Sequence, residues 1–375
     1  MKEKIITFIK KEVVLCIAVF LAVISAFWVK PDRQYLEYID FRTLGILFCL
    51  MAVMAGFQGL GVFRRLAEGL LKRVKNMRQM MLILVMLCFF FSMLITNDVS
   101  LITFVPLTLV VLGMLGEDAK RKWLIPIVVL QTVAANLGSM LTPIGNPQNL
   151  YLYGISGMGF GTFLKLMLPY TAASFGMLVL WCLWECRKSD QSFEITFTEA
   201  GEMSRRGVAG MYAAVFILCL LTVARIIDYR ITLVLVITLI LAFDRKVIGK
   251  VDYSLLLTFV GFFVFIGNMG RVEVFRTFLE NIIVGHEEVT AIAASQVISN
   301  VPAALLLSRF TEKYEALIIG TNLGGLGTLI ASMASLISYK YIAAEERKIS
   351  GKYMVYFTIV NVVMLAGLVG LGMGF

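Results

Sequence analysis

Apolar stretches near or beyond the ~20 residues that cross a bilayer as helix recur from one end of this chain to the other. No other feature constrains the fold as strongly. Of 375 residues, 59% are hydrophobic and only 16% charged, with a mean hydropathy of +0.86. A soluble fold of that size needs far more polar surface. The expected fold is an all-α polytopic membrane protein.

The net charge of +9 suggests a nucleic-acid partner only until the charges are placed. They cluster between the apolar stretches, as membrane topology requires, so nucleic acid is discounted. Crossings are expected at about 13–29, 42–63, 123–153, 162–186, 208–226, 230–243, 253–270, 314–339 and 353–374. With the N-terminus inside, 24 of the 34 basic residues fall on inner segments, Lys2, Lys4, Lys10 and Lys11 among them. The positive-inside rule then predicts a cytoplasmic N-terminus and an outer C-terminus, for a multi-pass protein expected in the plasma membrane. The first apolar run ends in Phe27-Trp28-Val29 with no small-residue cleavage site, which predicts a retained span rather than a signal peptide. Cys16, Cys49, Cys88, Cys182, Cys186 and Cys219 all lie in apolar stretches, without CxxC or Cys/His pairing, and His286 is the sole histidine. Neither a metal centre nor a disulfide framework is expected.

Two apolar segments, 80–116 and 289–310, return to the side they left, because both flanks are charged. From Glu288 to Ser299 there are about 16 Å of helix against a ~30 Å core, so the second segment is expected to be re-entrant from outside. The first is ambiguous by itself, and an internal repeat resolves it. Asp40-Phe41 through Val62-Phe63-Arg64 and Glu68 matches Asp252-Tyr253 through Val274-Phe275-Arg276 and Glu280 at an offset of 212. Thr96-Asn97 corresponds to Ser299-Asn300. Asn136-Leu137-Gly138-Ser139, Thr142 and Ile144 match Asn322-Leu323-Gly324-Gly325, Thr328 and Ile330 at an offset of 186. An odd number of crossings separates the copies, so the second is predicted to be inverted, as in many secondary transporters. By that symmetry 80–116 is a hairpin entering from inside. About nine crossings result, with two re-entrant helical hairpins, two discontinuous helices, and interfacial helices at Arg64–Arg78 and Arg271–Gly285. The expected organisation is a tail and first span over 1–39, a first repeat over 40–186, a cytoplasmic linker over 187–207, scaffold spans over 208–251 and the inverted repeat over 252–375.

Polar residues inside the apolar bulk are the candidates for function. The hairpin tips, Thr96-Asn97-Asp98 and Ser299-Asn300-Val301-Pro302, place hydroxyl and amide groups just before a helix. Such residues are ordinary N-caps, yet a helix N-terminus at membrane depth also favours an anion. Asp98 is an acidic residue deep in the hydrocarbon, where carboxylates mark ion or proton pathways. The run Leu137 to Asn149, with Pro143 and Pro147, cannot form uninterrupted helix. Its freed carbonyls can ligate Na⁺. Thr96, Asn97, Asn146, Asn149, Ser299, Asn300, Ser332 and Ser335 are the predicted substrate contacts. Asp98, Thr142, Gly145, Asn322, Gly324 and Thr328 are the predicted sites for a coupling Na⁺ or H⁺. No Arg or Lys lies at either tip or break, which argues for cation coupling, and Lys165 and Arg309 are read as snorkelling anchors.

At these blocks the sequence resembles the ion-transporter superfamily, most of all its citrate-transporter and divalent-anion:sodium symporter branch. Those proteins carry inverted repeats, each with a hairpin tipped by a Ser-Asn-Thr motif and a broken helix ending in a Pro-Pro-Asn-like turn. Here Thr96-Asn97-Asp98 and Ser299-Asn300-Val301 stand at the tips, and Gly145-Asn146-Pro147-Gln148-Asn149 and Ala331-Ser332-Met333-Ala334-Ser335 at the turns. The likeness runs from about residue 40 to 340. Both tips lack the third hydroxyl, and the second turn lacks proline and asparagine. Asp98 repels a dicarboxylate unless protonated or cation-bound. The resemblance implies a Na⁺- or H⁺-coupled carrier of a small anion, working by alternating access among membrane lipids. Its members often dimerise through a scaffold, for which 13–29 with 208–243 are the candidates in a homodimer. The rival is a cation/proton antiporter or metalloid-oxyanion exporter of the same superfamily. No HExxH, GxSxG or ATP-binding motif occurs, so neither an intramembrane enzyme nor a self-contained pump is expected, and no cofactor is expected beside the coupling Na⁺ or H⁺.

Overall fold

The computed structural model describes residues 12–187, 206–345 and 349–372. The N-terminal lysines and most of the 187–207 linker lie outside those residues. Among the described residues every regular element is helical. In chain order these are α1 (Val13–Trp28), α2 (Gln34–Glu37), α3 (Phe41–Gly59), α4 (Val62–Leu71), α5 (Met77–Ile95) and α6 (Asn97–Met114). Next come α7 (Glu117–Ser139), α8 (Pro147–Ser156), α9 (Phe160–Glu185), α10 (Arg206–Val223) and α11 (Tyr229–Phe243). A 3₁₀ turn, Arg245–Lys250, leads to α12 (Tyr253–Met269), α13 (Glu273–Ile283), α14 (Glu287–Ile298), α15 (Asn300–Leu307), α16 (Tyr314–Leu323), α17 (Met333–Glu345) and α18 (Ser350–Gly372).

Matched sequence blocks adopt matched local geometry. Asp40 caps α3 by accepting from the Thr43 N–H at 2.9 Å, and Asp252 caps α12 by accepting from Leu255 at 3.0 Å. Short amphipathic α4 and α13 each carry an i,i+4 pair, Arg64–Glu68 and Arg276–Glu280, at 2.7 Å. Between α12 and α13 the chain bends by 102°. Both hairpins turn on a single non-helical residue: Thr96 at φ 71°, ψ 151° and Ser299 at φ 73°, ψ 154°. That region is essentially reserved for glycine.

Both predicted discontinuous helices are present, α7/α8 and α16/α17. Each hairpin, α5/α6 or α14/α15, packs on the leading half of its own broken helix. The second arm of each also packs on the trailing half of the other: α6 on α17, and α15 on α8. Around this core, α1 lies on α12, while α10 and α11 lie on α3. Every residue from Ile127 to Ser139 of α7 is buried, its polar Gln131, Thr132, Asn136 and Ser139 included, so these side chains must find partners inside the protein.

The first hairpin, expected over 80–116, has longer arms than the second. Its arms have 19 and 18 residues and are each long and apolar enough to cross by themselves, whereas α14 and α15 have 12 and 8. α3, α9 and α18 also qualify as spans, and α12 with α13 makes a sixth if the bent pair is counted as one.

Candidate site at the helix breaks

The backbone of each break docks the hairpin tip of its own unit. Asn97 N–H donates to Gly145 O at 3.1 Å, and Asn300 N–H donates to Ala331 O at 3.0 Å. Thr142 Oγ1 adds a bond to Met93 O at 2.5 Å. Close approach here requires glycine: a Cβ on Gly138 would stand 2.0 Å from Phe89 O.

Side-chain amides then link the two units crosswise. Asn136 Oδ1 accepts from Asn97 Nδ2 at 3.0 Å and from Ser332 Oγ at 2.9 Å, while its Nδ2 donates to Gly325 O at 3.4 Å. In the mirrored arrangement, Asn322 Oδ1 accepts from Asn146 Nδ2 at 3.0 Å, and Asn322 Nδ2 donates to Asn149 Oδ1 at 2.6 Å. Asn146 also caps α8 by accepting from the Asn149 N–H at 3.0 Å. All of these side chains are buried, so each missing partner would cost a desolvation penalty. The tips meet through this lattice rather than tip to tip, with Gly325 packed under Asn300.

The structure therefore brings Asn97, Asn146, Asn149, Asn322 and Ser332 into one network, with Thr96, Ser299 and Asn300 at its docked tips. Gly145 and Thr142 are there too, but their groups are engaged: the Gly145 carbonyl holds Asn97, and Thr142 O accepts from Asn149 Nδ2 at 3.4 Å. Gly324 is a packing point against Ser295, and its carbonyl accepts from Gln296 Nε2 at 3.0 Å. Thr328 lies apart from the amides. It is exposed, and its N–H and Oγ1 both donate to Gln296 at 2.9 Å. Ser335 is fully buried, with no partner for Oγ.

Asp98 lies beside the lattice. Its Oδ1 is sequestered without a hydrogen-bond partner and it lines a cavity of about 160 Å³. An ionised carboxylate in that state is costly, and a proton or cation on Oδ1 removes the cost. Thr96 and Asn146 share the cavity, whose mouth carries Gln58, Lys250 and Asp252. Here the sequence expectation needs correction. No basic residue lies near the tips in sequence, but the 3₁₀ turn before α12 carries Lys250 into the approach to Asp98. Lys165 and Arg309 are exposed, as expected of anchors.

Four contributors were missed by sequence reasoning: Asn136, Gln296, Lys250 and Asp252. Asn136 opens a repeat block and aligns with Asn322, so the repeat itself carried the signal. Gln296, a long amide in a short apolar hairpin arm, was also visible. Nothing local marks Lys250.

The profile of the citrate transporter family matches residues 4–314. The chain belongs to the citrate transporter family. An uncharacterized transporter of Methanocaldococcus jannaschii is 33% identical over 341 residues, 90% of each chain. The inner membrane protein YbiR of Escherichia coli is 31% identical over 338 residues, covering 88% of this chain and 87% of its own. A silicon efflux transporter of Oryza sativa is 34% identical over 158 residues, 42% of this chain and 31% of that one. Citrate-transporter membership, with the apolar helices described above, makes this an integral membrane protein of a transporter family.

Proposed function

We propose that this citrate-family member is a secondary carrier of a small anion, of the carboxylate type, coupled to Na⁺ or H⁺. One observation carries the reading: Asn136 reaches into the second break while Asn322 reaches into the first. Two related units thus meet across hydrogen bonds that small ligands can replace, at breaks that free backbone groups inside the membrane. Alternating access follows if these bonds exchange as one unit rocks against the other. Thr96, Asn97, Asn146, Asn149, Ser299, Asn300 and Ser332 hold the anion in this reading. The Asp98 carboxylate takes the coupling cation, and Lys250 draws the anion in at the mouth.

The reading includes an inverted repeat of about nine crossings, a plasma-membrane location with the N-terminus cytoplasmic, and a homodimer through α1, α10 and α11. Although α5 and α6 are long enough to cross, Thr96 is held level with the break. From there α8 still runs about 15 Å, which supports a tip at membrane depth.

Uptake of labelled citrate, succinate and inorganic anions into proteoliposomes, with and without Na⁺ and pH gradients, is the test. Accumulation of one anion under one gradient is expected, and no anion transport under any gradient ends the proposal. The unpaired Asp98 oxygen and the partial likeness to a silicon efflux transporter favour a second reading, an antiporter or oxyanion exporter. Asp98→Asn separates the two: an exchanger loses all exchange, whereas an anion symporter keeps substrate binding.

A further inference from the structure

Ser332, Ser335 and Ser338 are spaced by three at the start of α17, and all are buried. Thr132 and Asn136, four apart on α7, are buried opposite them. The two stripes face each other: Ser332 Oγ donates to Asn136 Oδ1, and the Ser338 and Thr132 hydroxyls lie 2.7 Å apart. Between these pairs sits Ser335, with no partner for its hydroxyl. Tyr353 of α18 is fully buried as well, and its hydroxyl approaches Thr132 without reaching good hydrogen-bond geometry. The unbonded Ser335 hydroxyl and the poorly satisfied Tyr353 hydroxyl carry a desolvation cost inside a membrane protein that a bridging water removes.

The sequence repeat supplies an internal control. The offset of 186 that aligns Asn146 with Ser332 and Asn149 with Ser335 places Leu152 opposite Ser338 and Ile318 opposite Thr132. Leu152 and Ile318 are fully buried. On one side of the amide lattice, then, the seam is sealed by aliphatic side chains. On the other it continues as hydroxyls toward the end of α17 and the start of α18, where Lys120, Glu345 and Lys352 line an open pocket of about 370 Å³.

We propose that the seam between α7, α17 and α18 holds a file of buried water that carries protons between the Asn136 lattice and the face bearing Lys120 and Lys352. Each hydroxyl accepts a proton on its oxygen from one neighbour and releases its own to the next, so the relay leaves every side chain unchanged. This deepens the carrier reading and rests on it for the direction of flow: the charge pattern makes the open end cytoplasmic.

Radiolytic hydroxyl-radical labelling of the reconstituted protein, read by mass spectrometry, tests hydration without reference to transport. Tyr212 is the control, equally buried but with its hydroxyl bonded to Asp244 at 3.2 Å. Tyr353 is expected to oxidise several-fold faster than Tyr212, and Ser335→Val to bring it down to the Tyr212 rate. Equal rates in the unmodified protein overturn the water file. The relay is read with Tyr353→Phe, which should keep substrate counterflow while losing several-fold in uptake driven by a pH gradient. Equal retention or equal loss of both activities overturns it. A dry Tyr353 in an active carrier sinks this inference alone; a wet Tyr353 without anion transport sinks the carrier reading alone.

Discussion

Thr96 and Ser299 sit at φ and ψ values that cost non-glycine residues on the order of 1–3 kcal/mol. The same outlier recurs at both tips, and each is held by a neighbouring backbone bond to its break. Thr96→Gly is therefore expected to raise the unfolding temperature while impairing transport, because the glycine relaxes the tip that the break positions. Thermal unfolding beside proteoliposome uptake checks both halves. Asn136 gives the opposite case. Asn136→Ala strands the Asn97 amide and the Ser332 hydroxyl, and should destabilise by about 1–3 kcal/mol per unpaired group. Denaturant or thermal unfolding reads that cost, and a neutral result would mean that water replaces the amide.

Among elements, the paired scaffold helices offer a controlled comparison. Asp40 and Asp252 cap α3 and α12 with nearly identical backbone geometry, Asp40 accepting also from the Thr43 hydroxyl at 2.5 Å, and removing either cap costs about 1 kcal/mol. Only Asp252 also faces the Asp98 cavity. Asp40→Ala should thus lose at least as much stability as Asp252→Ala, with Asp252→Ala alone changing the KM for the anion. Measured together, equal kinetic effects would show that the cavity mouth plays no part. Helix existence was legible at this scale because long apolar runs and Pro143, Pro147 and the glycines mark where helix can and cannot continue. Arm length in the first hairpin was legible as well, in its longer apolar run. Symmetry with the short α14 and α15 predicts a hairpin there, and α5 and α6 follow their own longer apolar runs.

Considered as a whole molecule, the chain exposes its apolar surface outward and keeps its amides at the junction of two related units. A ligand that binds only the folded state raises apparent stability by mass action, about 2.7 kcal/mol at a hundredfold excess over Kd. The transported anion should therefore raise the unfolding temperature, and more so in the buffer containing the coupling cation. Comparing Na⁺ with K⁺ across candidate anions reads this. Lys250→Gln should weaken the anion effect without abolishing the cation effect.

Sequence alone determined the membrane setting, the helical class, the duplicated blocks and most of the polar residues now seen in the lattice. Those follow from local physics: apolar length, helix-breaking residues and polar side chains that hydrocarbon tolerates only with a purpose. Tertiary structure decided which groups remain available. It showed the Gly145 and Gly324 carbonyls already bonded, Thr328 on the surface, and Asp98 with an unpaired oxygen. It also brought Lys250 and Asp252, more than 150 residues away in sequence, to the approach of the first tip. Hydrogen-bond occupancy and long-range proximity are properties of packed helices, and no pattern within one segment encodes them.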